Sequence, residues 1–124
     1  MISNIQYFSN EEIMCPCCGL NNINSFSIKK LDLLRATVGY PLKINSACRC
    51  EKHNSLVGGS SSSSHICTVL KPSFAFDVAI NNDSERFMIV RTAISLGFHR
   101  IGIYKNFIHL DDDILKRPAL WYGK

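Results

Sequence analysis

No stretch of the sequence is apolar over the ~20 residues that a helical membrane span needs, so no membrane insertion is expected. The opening residues, Met1 to Glu12, have neither the basic start nor the apolar stretch of a secretory signal; the expectation is a soluble protein made in the cytoplasm. Charge is sparse. Charged residues make up 19% and the net charge is only +4, which suits an anionic partner, bacterial cell wall or nucleic acid, without naming one. The interleaved basic and aromatic stripe of a nucleic-acid groove is missing, so no nucleic-acid partner is expected. What is present is ordinary material for a globule. A hydrophobic content of 46% in 124 residues argues against disorder and against a fibrous repeat, and it sets one domain, residues 1–124, with a core of its own.

Cysteine is the exception to this ordinariness, at positions 15, 17, 18, 48, 50 and 67. Three readings stay open. The thiols are free and buried in a reducing compartment; or Cys15, Cys18, Cys48 and Cys50 form a four-thiolate structural zinc site; or disulfides form after release. Cys15 and Cys18 have knuckle spacing, whereas Cys48 and Cys50 flank Arg49 in a cramped pair.

Ser9 and Glu12 fit a capping box opening a short helical turn at 9–13. Ile28, Leu31, Leu34 and Val38 recur at helical spacing and predict a helix over 27–38, ended by Gly39 and Pro41. Residues 42–46 read as a strand. From 46 to 73 the residues are those of loops, including Gly58-Gly59 and the run Ser60 to Ser64, which ends directly on His65. Residues 74–80 alternate cleanly, with Asp77 between two alanines on one strand face. Asn82 or Asp83 caps a helix to Leu96, with Phe87, Val90 and Ile94 as its apolar stripe and Gly97 as its stop. Residues 101–104 and 107–111 predict a hairpin around Lys105-Asn106. That register sets Gly102 opposite His109, with empty volume beside the ring, and Arg100 opposite Asp111, where it helps hold the carboxylate ionised. The tail, 117–122, reads as irregular and aromatic. The expected fold is an α+β domain: a small antiparallel sheet backed by two helices.

His65, Asp77 and His109 stand out chemically. Two imidazoles and a carboxylate, with a fourth position left for water, make a catalytic zinc shell.

The motifs point further. Ser46-Ala47-Cys48-Arg49-Cys50-Glu51-Lys52-His53-Asn54, Val57-Gly58-Gly59 and Ser63-Ser64-His65 are followed by Phe74-Ala75-Phe76-Asp77-Val78-Ala79, Gly102-Ile103-Tyr104 and Phe107-Ile108-His109-Leu110-Asp111. With Phe8-Ser9-Asn10-Glu11-Glu12 in front and Arg117-Pro118 and Trp121 behind, this order resembles the zinc D-Ala-D-Ala carboxypeptidase and L-alanyl-D-glutamate endopeptidase family. Phage endolysins belong to that family, whose fold is of the hedgehog/DD-peptidase type. The resemblance implies a zinc ion held by His65, Asp77 and His109, with Arg49 engaging substrate near the metal. It implies an enzyme that cuts stem peptides of bacterial peptidoglycan; a monomer is expected. Without a signal, such a protein reaches the wall after lysis, through a membrane-permeabilising partner, or with a virion.

Two departures from the family pattern bear on the site. Asp77 follows His65 at a wider interval than usual, which an insertion within 66–73 explains if both ends keep their places. Three positions before the last histidine, where many members carry an acid, stands Asn106. Asp111, on the strand face of His109, is the substitute, as general base or as the group that orients the imidazole. Asp112 and Asp113 read as solvated charges at a strand end, His99 as a surface or half-buried residue, His53 and Asn54 as braces of the loop, and Trp121 and Tyr122 as either cleft wall or core packing. The rival readings are a cell-wall or nucleic-acid binding module stabilised by cysteine-bound zinc, and a degenerate peptidase that binds wall without cutting it.

Overall fold

Capping residues decide where the helices begin and end. In the computed structural model, which describes residues 5–123, α1 spans Asn10–Ile13, and the Glu12 carboxylate accepts from the Ser9 backbone N–H at 3.0 Å as the capping box requires. The helix α2, Ser25–Val38, starts earlier than its apolar spacing indicates because Asn24 Oδ1 accepts from the N–H groups of Phe26 and Ser27. It stops at Gly39, whose φ of +80° is the left-handed conformation glycine adopts without strain.

Strand β1, Ile44–Ser46, is followed by a helix inside the stretch that reads as loop: α3, Glu51–Leu56. Six residues are too few to display a period, and the cap is a cysteine, so neither usual signal is present. Strand β2 spans Ala75–Ala79, and α4 spans Asp83–Leu96 between the Asn82 cap and Gly97. The buried face of α4 is Ile89, Thr92 and Ala93, which corrects the expected stripe; Phe87 and Ile94 are exposed and only Val90 of that set packs on the core. The Arg91 guanidinium lies over the Phe87 ring and shields it.

The remaining strands are β3, Arg100–Ile103, β4, Phe107–Asp111, and β5, Ala119–Tyr122. The sheet order is β1-β2-β4-β3-β5. Four strands pair antiparallel, as expected, and β5 adds a parallel edge against β3 where the tail reads as irregular. Backbone pairing overrides the weak local pattern there: the Ala119 N–H donates to His99 O and the Gly123 N–H to Ile103 O.

Helices α2 and α4 cover one face of the sheet. Phe76, Val78, Ile101, Ile108 and Leu110 point that way and join Ile28, Leu31, Leu34, Ile89 and Ala93 in the core. The other face carries a single row of directly opposed residues: Ser46, Asp77, His109, Gly102 and Trp121, one from each strand. Opposed residues share a face, so this register alone gathers an acid, an imidazole and an indole at one place. Among the described residues no helix is long and apolar enough to cross a membrane.

Candidate metal centre

His65 comes to this row from the serine-rich loop, and both flanks of the loop are pinned. Arg49 N–H donates to His65 O at 2.9 Å and Cys67 N–H to Arg49 O at 2.8 Å, while Phe74 N–H donates to Ser64 O at 3.0 Å. Cys48 and Cys67 are joined by a disulfide across the same junction. The extra residues between His65 and Asp77 bulge outward as a turn at 68–71, closed by Thr68 and topped by Val69 and Leu70, which are almost wholly exposed. The ends therefore keep their places.

The result is convergence. One ligand atom from each of His65, Asp77 and His109 lies within 4.8 Å of the others. Asp77 and His109 are opposed across β2 and β4, with Nδ1 of His109 3.0 Å from Oδ1 of Asp77. His65 is buried and meets Ala47 O through Nδ1 at 2.8 Å; a carbonyl only accepts, so Nδ1 carries the proton. Burial lowers the pKa of His65, so its ring is held neutral. Its Nε2 thus presents a lone pair, buried and without a hydrogen-bond partner, 3.1 Å from Oδ1 of Asp77. Two acceptors facing each other at that distance repel unless a cation lies between them, and the spacing is that of neighbouring ligands on one tetrahedral zinc ion. The donor set fits the metal.

Asp77 is ionised for this role. Burial opposes its charge, but the hydrogen bond from the His109 imidazole leads the influences that outweigh burial and hold the carboxyl well below the usual carboxylate range. His109 goes the other way: burial opposes its protonation, and Asp111 and Asp77 together raise its pKa. Asp111 touches the far side of that ring, with Oδ2 2.6 Å from Nε2, and is itself fully buried against Arg100. The Arg100–Asp111 pairing follows the expected register.

Arg49 enters from the other side. Its Nε donates to Ser46 Oγ at 2.9 Å, Nη1 to Asn54 Oδ1 at 3.1 Å, and Nη2 lies 3.4 Å from Asp77. Gly59 packs directly on this pair; a Cβ there would lie 2.2 Å from Asn54 Oδ1 and 3.0 Å from Arg49 Nη1. The glycine read as loop composition is required by close approach. His65, Asp77 and His109 open onto a cleft of about 670 Å³, walled by Trp121, Tyr104, Phe107 and Lys116.

The peptidase M15 family model matches residues 6–111, a span that holds all three convergent residues and Arg49. The chain belongs to the peptidase M15 family. No curated protein sequence matches it. M15 membership makes it a zinc-dependent metallopeptidase, a hydrolase directed in general at peptidoglycan.

Around the M15 centre other expectations sort themselves. Asn106 sits exposed in the hairpin turn, outside the cleft lining. Asp112 and Asp113 are buried, which corrects their reading as solvated charges: Asp112 pairs with Lys30 at 2.9 Å and Ser27, and Asp113 accepts from Ser64 at 2.9 Å. His99 is half-buried, its Nε2 within hydrogen-bond reach of Asp113 O and Lys116 O. Asn54 is a buried brace, donating to Ser60 O, while Tyr122 is exposed and takes no part in the cleft. The volume expected to stand empty beside Gly102 is filled by Trp121, whose Nε1 donates to Tyr104 OH at 3.2 Å. Tyr104 and Phe107 fall inside the motifs that carry the resemblance without being singled out there, and Lys116 lies in no motif that marks it from sequence.

Proposed function

We propose that the protein hydrolyses a peptide bond in peptidoglycan stem peptides, as a D-Ala-D-Ala carboxypeptidase or L-Ala-D-Glu endopeptidase of the phage lysis type. The observation that carries this reading is the unsatisfied, buried Nε2 of His65 aimed at Asp77 beside His109. Zinc held by these residues supplies a Lewis acid and a water whose pKa falls to about 7.

The chain's own groups do the rest. Arg49 retains N–H groups beyond those used on Ser46, Asn54 and Asp77, and these meet a substrate carboxylate or the developing oxyanion. Both candidate bonds have a carboxylate close by, and Arg49, Arg100 and Lys116 give the cleft a cationic rim for it. Asp111 accepts the Nε2–H of His109 and so turns Nδ1 toward Asp77; its place behind the ring makes it a positioning residue rather than the general base. Trp121 and Tyr104 wall the site against water.

Among the described residues lining the cleft, Asp77 and Asp111 are the only carboxylates, and both are engaged. That favours a second reading, a wall binder of peptidase descent. Defined stem pentapeptides incubated with zinc-loaded protein, with and without chelator, separate the two. Release of D-alanine marks the carboxypeptidase and release of L-alanine from the stem the endopeptidase, either one abolished by chelation. Intact peptides with zinc retained would leave only the wall binder.

A further inference from the structure

A second cluster of ligating side chains lies away from the cleft. The sulfurs of Cys15, Cys18 and Cys50 are within 4.8 Å of one another, although Cys50 is far from the other two in sequence. Cys48, the partner expected from sequence in a four-thiolate set, is excluded by its disulfide with Cys67. Cys17, the chain neighbour of Cys18, is the remaining free thiol, and it is exposed.

The backbone around these sulfurs is built as a metal knuckle is built. Gly19, at φ +77°, reverses the chain, and the Cys15 N–H donates to Leu20 O at 2.7 Å while the Gly19 N–H donates to Cys15 O at 2.8 Å. Backbone N–H groups are aimed at sulfur. Cys15 Sγ receives that of Cys50 at 3.3 Å, and Cys50 Sγ that of His53 at 3.4 Å. Such donors favour the thiolate over the thiol. Thiolates gathered this closely repel unless a cation joins them, and three sulfurs with this spacing suit three corners of a tetrahedral zinc site.

We propose that Cys15, Cys18 and Cys50, completed by Cys17, hold a structural zinc ion distinct from the ion of the His65–Asp77–His109 centre. The ion fastens the loop after α1 to the start of α3. Arg49 lies next to Cys50 in the chain, so the clamp sets the backbone from which that guanidinium reaches Asp77. With the Cys48–Cys67 disulfide it fixes the 48–50 segment on two sides. This proposal stands whether or not the protein cuts stem peptides.

The test is metal content and ligand signature of the whole protein, purified anaerobically without added reductant so that the Cys48–Cys67 disulfide stays closed. Two zinc ions per chain are expected, and replacement by cobalt should give the intense near-ultraviolet thiolate-to-cobalt band. A His65→Ala, His109→Ala variant should keep one ion and the band. Cys18→Ser, on the exposed side of the cluster, and Cys15→Ser should keep the cleft ion and lose the band. In the unaltered protein, zinc should slow alkylation of Cys17 and Cys18 at least tenfold. One ion per chain with no thiolate band, zinc-independent alkylation, or recovery of Cys15, Cys18 and Cys50 in disulfides from the freshly isolated protein would each overturn the proposal.

Discussion

Gly102 lies opposite His109, and the space above its α-carbon belongs to Trp121: a Cβ at this position would come within 2.6 Å of the indole. The glycine lets β5 lay its aromatic ring against the imidazole, with centroids 5.4 Å apart. Gly102→Ala should push the indole off Tyr104 and destabilise the fold by about 1–3 kcal/mol, the usual range for overpacking. Trp121 is the only tryptophan, so its fluorescence reads the displacement directly during urea unfolding. An unchanged emission spectrum would show that the contact is not fixed.

The buried carboxylate behind His109 should reveal itself through metal affinity. Asp111→Asn should weaken zinc binding at the cleft by about 10–100-fold, the range for groups that orient a ligating imidazole. Competition with a chromophoric chelator measures it. A variant that kept its zinc affinity yet lost turnover would instead make Asp111 the general base.

Acidity should release the cleft ion. Metal binding needs His109 neutral, and Asp111 and Asp77 raise its pKa against burial in the metal-free protein. Protons therefore compete from above the ordinary histidine range downward, and apparent zinc affinity should fall by about tenfold per pH unit below the raised pKa. Titrations between pH 8 and 5 check the slope. In Asp111→Asn the onset should move to lower pH.

Arg49→Ala should leave zinc content intact and lower kcat by about 100–1,000-fold, as for loss of an oxyanion donor. Arg49→Lys should rescue little, because one ammonium cannot span Ser46, Asn54 and a substrate oxygen at once.

Removing the disulfide should loosen the loop that carries His65. Cys67→Ser opens a closure with a sequence separation of 19 and should cost about 3 kcal/mol of stability. Thermal unfolding measures it, and zinc affinity at the cleft should fall with it.

The residues of the site were legible because they sit in ordered motifs, and the β3–β4 register followed from a two-residue turn that fixes Gly102 against His109 and Arg100 against Asp111. Helix limits at Gly39 and Gly97 were legible for a local reason, the left-handed stop. What was hidden depends on distant partners. Asp112 and Asp113 look like solvated charges until Lys30, Ser27 and Ser64 arrive from elsewhere in the chain. Likewise β5 has no clear pattern of its own and becomes a strand only by pairing with β3. The face of α4 is hidden from its sequence because Ala93 and Thr92, weak signals by hydropathy, are what fits against the core, while Phe87 is left outside.

The turn at 68–71 absorbs the wide interval between His65 and Asp77, and its tip, Val69 and Leu70, stands out in solvent, clear of the cleft lining. A dye, an affinity handle or a tether to a solid support grafted there would ride on the protein without touching its chemistry, and swapping the two bare aliphatic side chains for serines would give a better-behaved reagent for crystallisation.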